Sequence, residues 1–292
     1  MTEPERQPTK TTDVAPTSTR ASSRKNRVYV FREFLLEKYG DILERGDVIL
    51  DGAGGKGDLS WLLKNADGFE SVIVDPRLSQ SNHMIRSLSY LRSNPLVSQE
   101  RCIPGLPTYQ PLAALLPQLP TEEDVQKPLH LRLLVDHHLV TAVEVYKKSQ
   151  SMDSWIQFWG DATKRATVAN TLGYEEKVSE DRTEKQIFVA SEALSLILRT
   201  RLVAGFHPDQ ATESLMDLAA VLNVPFAIVP CCVFPSEFPD RKQSDGSRVK
   251  SYSELMDYLK AKFPQAAEGE LGFFFTETAK NRVLYTHTPT NR

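Results

Sequence analysis

The pattern of apolar and polar positions along this 292-residue chain changes its period repeatedly, and each change marks an element. Residues 1–26 hold Pro, Thr, Ser and charge with almost nothing apolar. Such a segment cannot offset its ordering entropy, so a disordered tail is expected over 1–26. From Arg27 onward Val30, Phe31, Phe34, Leu35 and Tyr39 recur at helical spacing. Val48-Ile49-Leu50 then reads as a buried strand, Asp58 to Lys64 as a helix and Ser71-Val72-Ile73-Val74 as a second strand. A helix is expected over 81–93 and a short third strand over Arg101-Cys102-Ile103.

From Pro104 to about Arg182 no strand-turn-helix unit is legible. Pro104, Pro107, Pro111, Pro117, Pro120 and Pro128 punctuate its first half. Helices are expected from His138 to Ser149 and from Ser154 to Asn170. Trp155, Phe158, Trp159 and Ala162 share one face of the second, which suits either core packing or a substrate lid. The region 104–182 is therefore read as a mainly helical insertion. Regular alternation resumes with a helix over Glu184–Thr200, a strand at Leu202-Val203-Ala204 and a helix carrying Leu215, Leu218, Ala219 and Leu222, with Asp209 as its expected N-cap. Phe226 to Val229 is the next strand, and Tyr252, Leu255, Met256 and Leu259 mark the last helix. Leu271–Phe275 and Val283–His287 read as two closing strands, near enough in sequence to pair antiparallel. Strands alternating with helices define an α/β fold, with residues 27–292 as one domain.

Composition narrows the setting. A net charge of −3 supplies no global basic field for nucleic acid. Three cysteines do not make a disulfide framework. No apolar stretch is long enough to span a membrane, and the first residues carry no secretory h-region. An intracellular protein, cytoplasmic or nuclear, is expected.

The candidate chemistry starts at Asp51-Gly52-Ala53-Gly54-Gly55-Lys56-Gly57, a Gly-rich turn between the first strand and its helix. The second strand ends in Asp75, where a carboxylate can accept hydrogen bonds from ribose hydroxyls. Together they point to an adenosine-containing cofactor. Gly52, Gly54 and Gly57 fit the dinucleotide pattern G-x-G-x-x-G, which makes an NAD-binding oxidoreductase one reading. Asp51, Gly55 and Gly57 fit acid-x-G-x-G-x-G with Ala53 at the first glycine, the first motif of class I S-adenosylmethionine (SAM) methyltransferases. A pyrophosphate wants the helix N-terminus free of negative charge. SAM carries an ammonium and a sulfonium, so a carboxylate at Asp51 suits it better.

With its two closing strands and the segment Pro230-Cys231-Cys232 after the fifth strand, the chain resembles the class I SAM-dependent methyltransferase superfamily. Within it, a methyltransferase-like branch that includes a tRNA 2′-O-methyltransferase family carries a similar Pro-Cys-Cys segment. The resemblance covers about Arg27 to Asp75 and Glu184 to the C-terminus. It implies a Rossmann-like sheet with helices on both faces, an antiparallel C-terminal strand, and S-adenosyl-L-methionine held by Asp51, Gly52, Ala53, Gly54, Gly55, Gly57 and Asp75. RNA is an acceptor class by the same analogy. Arg241, Lys242, Arg248 and Lys250, with Arg20, Arg24, Lys25 and Arg27, are the local basic groups that would meet its backbone. A methyltransferase-like binding protein without catalysis is the third reading.

Methyl transfer needs an aligned nucleophile and, for a hydroxyl or amine, a proton acceptor. His207 follows the fourth strand and titrates in the useful range, so it is the candidate base; the other reading is a brace for the turn before Pro208. Phe206, Cys231 and Cys232 are the candidate walls of the acceptor site. Metal sites usually space their cysteines more widely than this adjacent pair, so no metal is assigned.

Overall fold

The structure, a computed structural model, describes residues 19–78, 82–93, 115–173, 188–272 and 280–287. A seven-stranded sheet forms its centre, in the order β3-β2-β1-β4-β5-β7-β6. The strands are β1 (Val48–Gly52), β2 (Glu70–Val74), β3 (Leu129–Leu131), β4 (Thr200–Phe206), β5 (Phe226–Val229), β6 (Ala267–Glu270) and β7 (Arg282–Tyr285). The first five run parallel, and β7 runs antiparallel to both β5 and β6.

Helices cover both faces because successive strand residues point to opposite sides. Val48, Leu50, Val203, Phe226, Ile228 and Leu284 face one core. It is closed by α4 (His137–Ser149), α5 (Met152–Gly173), α6 (Ala190–Leu198), α7 (Thr212–Leu222) and α8 (Tyr252–Lys262). Ile49, Leu202, Ala204, Ala227, Val229 and Val283 face the other, under α1 (Thr19–Tyr39) and α2 (Asp58–Asn65). A smaller cluster joins Trp61 and Leu62 of α2 to Met84 and Leu88 of α3 (Asn82–Ser93). Two helix starts are capped by their own side chains. Asp136 accepts from the Leu139 amide at α4, and Ser251 with Glu254 makes a capping box at α8.

Helix α1 is tied to the sheet at both ends of the chain. The buried Tyr39 hydroxyl lies 2.8 Å from the Phe226 carbonyl and 3.0 Å from that of Thr286. Arg32 of α1 donates through Nε to Asp67 Oδ2 at 2.7 Å, and its second fork nitrogen meets Oδ1. Arg32 is buried and Asp67 largely so, and each compensates the other's desolvation.

Several expectations change. Helix α1 starts at Thr19, eight residues inside the expected tail (Thr19–Asn26), and residues 1–18 lie outside the described residues. The expected strand at Arg101–Ile103 also lies outside them. The region 104–182 is mainly helical where described, but it is not simply an insertion. It supplies the edge strand β3, which pairs with β2, and helices α4 and α5, which pack on the core. The strand before β7 is β6, Ala267–Glu270, which ends just ahead of the expected Leu271–Phe275; residues 273–275 of that expectation lie outside the described residues. Asp209 does not cap α7; it opens a short 3₁₀ turn, Asp209–Ala211, ahead of it.

Candidate functional site

The register aligns the carboxyl ends of the inner strands. Gly52 sits opposite Val74, Asp51 opposite Ala204, and Phe206 opposite Val229. The segments leaving this edge carry the sequence-predicted residues. Open α/β sheets take ligands beyond this edge.

The first corner lies between β1 and β2. Asp51 shares the strand face of Ile49, so its side chain turns toward α2, where Ser60 Oγ donates to Oδ2 at 2.8 Å. Oδ1 is buried and has no hydrogen-bond partner among the described residues. Burial pushes the Asp51 carboxyl up to about 7, against the Ser60 bond, and the nearby Asp75 and Asp58 charges add to the rise. The loop is folded tightly onto this carboxylate. A Cβ at Gly54 would stand 2.6 Å from Asp51 Oδ2. Gly55 and Gly57 have φ of +56° and +84°, which glycine adopts without strain. Ala53 takes φ of +53° without that freedom, and its amide donates to the Val74 carbonyl at 2.8 Å. Gly52 has a different reason to be glycine: a Cβ there would run into Leu215 of α7. The same leucine lies over Gly205, so it fills the space above two adjacent strands. Lys56 is exposed at the loop's crest.

Asp75 is buried and fully engaged. Its Oδ2 accepts from the Gly55 amide at 2.9 Å, and Arg77 forks onto both oxygens through Nε at 3.0 Å and Nη2 at 2.9 Å. The Arg77 amide adds a bond to Oδ1 at 2.9 Å. His130 of β3 completes the corner from behind, its Nε2 lying 2.9 Å from the Asp75 carbonyl. Burial holds the His130 ring below its usual range. Sequence reasoning missed Ser60, Arg77 and His130. Arg77, two residues past the strand-end acid, had a readable signal; Ser60 sat in the first turn of the helix; His130 needed the third strand.

The second corner lies at the tips of β4 and β5. His207 is half-buried, with its Nε2 2.9 Å from the Lys280 carbonyl and its Nδ1 3.5 Å from Arg27 Nη1. A carbonyl accepts only, so Nε2 carries the proton and the basic nitrogen faces a guanidinium. Desolvation lowers the His207 pKa, against the Lys280 carbonyl, and Arg27 lowers it further. The ring thus braces the strand tips and presents no open lone pair. Phe206, expected as an open wall, is partly buried: it stacks on Phe31 at 5.1 Å and on His207 at 4.6 Å and packs against the core under α1. Cys231 is buried and donates to Asp209 Oδ1 at 3.1 Å; Cys232 is half-buried beside it. Burial raises the Cys231 thiol, and the Asp209 carboxylate raises it further.

The basic loop also changes. Arg241 is buried, pairs with Glu213 at 2.8 Å and lies over the Phe238 ring at 3.6 Å. It is therefore withdrawn from any nucleic-acid contact, while Lys242, Arg248 and Lys250 are exposed. A polar cavity of about 470 Å³, lined by Arg45, Lys64, Asn65, Glu70, Gln118 and Gln126, opens at the opposite, amino edge of β2.

Among the described residues no helix is long and apolar enough to cross a membrane. No protein-family model matches the chain, and a search of characterised proteins gives no match either. The class the fold defines is an α/β protein with a Rossmann-like mixed sheet.

Proposed function

We propose that the chain is a SAM-dependent methyltransferase that seats the cofactor on the loop Asp51–Gly57, between the tips of β1 and β2. One observation carries this reading: Asp51 buries a carboxylate oxygen without a partner among the described residues, at a strand tip directly before the glycine loop. A buried acceptor without a donor is costly, and a cationic ligand would supply one. The methionine ammonium of SAM has the required charge. A pyrophosphate would instead meet Asp51, and Asp58 in the first turn of α2, with like charge.

The sheet supports the same choice. The dinucleotide fold runs 3-2-1-4-5-6. Here the reversed strand β7 is wedged between β5 and β6, as the antiparallel C-terminal strand of the methyltransferase resemblance requires. Asp75 takes the ribose role when the half-exposed Arg77 side chain swings away from it. His207 serves as a brace in this reading, so the proton acceptor for methyl transfer is the substrate itself or solvent. The acceptor class implied by the resemblance is RNA, entering near the exposed Lys242, Arg248 and Lys250.

Calorimetry with SAM, S-adenosylhomocysteine and NAD tests the proposal. SAM and its demethylated product should bind, and Asp75→Ala should weaken SAM by roughly 1–3 kcal/mol through lost ribose bonds. Tight NAD binding with no SAM binding would overturn it.

A further inference from the structure

We propose that Asp209, Cys231 and Cys232 form a binding site for a zinc-class divalent cation. One ligand atom from each, two sulfurs and a carboxylate oxygen, lie within 4.8 Å of one another. Around a tetrahedral zinc, bond lengths of about 2.3 Å to sulfur and 2.0–2.2 Å to oxygen put neighbouring donors roughly 3.5–3.8 Å apart. The observed separations, up to 4.8 Å with one pair at 3.1 Å, bracket that size, so small side-chain shifts would bring the donors onto the ion. Two thiolates with one carboxylate are a donor set that zinc accepts.

The donors are brought together by the sheet, not by sequence spacing. Asp209 follows β4, Cys231 and Cys232 follow β5, and these strands pair in register up to Phe206 and Val229. The backbone is bent to bring the carboxylate there. His207 and Asp209 have φ of +55° and +48° on either side of Pro208, a left-handed region uncommon outside glycine that Asp and His enter more readily than most residues. Strain of this kind persists only where the surroundings enforce it, and it gathers at ligand sites.

A hydrogen bond alone is a poor account of the arrangement. Cys231 Sγ stands 3.1 Å from Asp209 Oδ1, yet a thiol is a weak donor. To take a cation the thiol must give up its proton and the 3.1 Å pair must open by about half an ångström, to the roughly 3.5–3.8 Å set by the ion. Adjacent cysteines close a disulfide only with strain, so both sulfurs remain available as ligands. Asp209 is exposed and Cys232 half-buried, which gives the ion an entry path. Three protein ligands leave a fourth position for water, the arrangement of open zinc sites. The site stands independently of the methyltransferase proposal.

The test uses the full chain, stripped with a chelator and titrated with cobalt(II) under reducing, oxygen-free conditions. Thiolate-to-cobalt charge-transfer absorption should saturate at about one ion per chain, and zinc should displace the cobalt. Cys232→Ser, at the half-buried position, should lower affinity by more than the roughly 10–100-fold typical of removing an outer partner. Asp209→Asn should lower it as well, and Cys102→Ser should leave it unchanged. Circular dichroism on each variant separates ligand loss from misfolding; should Cys231→Ser misfold, Cys232→Ser alone decides. No charge-transfer band, an affinity that survives both Cys232→Ser and Asp209→Asn, or a band abolished by Cys102→Ser would overturn the site.

Discussion

The two corners of the sheet edge are built from similar polar groups and are opposite in completeness. Between β1 and β2, a buried carboxylate oxygen of Asp51 lacks a donor, and the chain around it is folded through glycines. At the tips of β4 and β5, His207 has both ring nitrogens engaged and Cys231 donates to Asp209. Position at a strand tip does not by itself make a cofactor site. What separates the corners, for an organic cation, is the buried acceptor left open at Asp51; the second corner offers only groups that must first give up a proton, as Cys231 would to a metal.

The strongest way to break this comparison is to disturb the element beneath both corners. Leu215 lies against the Gly52 and Gly205 positions, so Leu215→Ala should cost about 2–5 kcal/mol in chemical denaturation. A loss near zero would mean that the two strands are not held by a common wall.

Asp51→Asn sharpens the contrast directly. Removing the charge should weaken SAM by roughly 2–5 kcal/mol in calorimetry, while His207→Ala leaves SAM affinity nearly unchanged. A pH series adds a sign. The folded Asp51 carboxyl is raised to about 7, above its unfolded value. Its contribution to stability is therefore fully present below about pH 4 and is lost as the pH rises through about 7. A cation prefers the ionised form, so SAM affinity should rise over the same interval. Both slopes from this group should vanish in Asp51→Asn. An affinity flat from about pH 6 to 8 in the unmodified chain would remove Asp51 from the site.

A smaller effect is expected from His207→Ala on stability. It deletes the bond to the Lys280 carbonyl and a ring stacked on Phe206, and should cost about 1–2 kcal/mol. An unchanged melting curve would argue against the brace. Smallest of all, Ala53→Gly relieves a left-handed alanine against the entropy of a new glycine. Stability should rise by at most about 1 kcal/mol, read as a denaturation midpoint.

The β1–loop–α2–β2 unit was legible because short apolar runs bracket a glycine turn, and each run is buried on both faces of the sheet. Strand β3 was not. It is Leu129-His130-Leu131 after a proline, too short to show a period. Strand β6 is Ala267-Glu268-Gly269-Glu270 at the sheet's edge, where half the residues are acidic, so the apolar signal slid forward to Leu271. The location of His207 at a strand tip was readable, but its orientation was not. That depends on Arg27 and Lys280, which are remote in sequence, and on a positive φ. Asp209 looked like a helix cap because an acid preceded an apolar stripe, and only the fold shows its partner to be Cys231.

The wedged strand β7 has a consequence for how the molecule is made. Its partner β5 exposes a hydrogen-bonding edge until residues 282–285 arrive, and the Tyr39 latch needs Thr286. Helix α1 is synthesised before the sheet but cannot complete its docking until Thr286 has left the ribosome. A nascent chain halted after α8 would carry an unpaired, apolar strand edge. Such contacts, spanning most of the sequence, slow folding through their loop-closure entropy, so the late assembly of this sheet is where chaperone dependence and aggregation should concentrate.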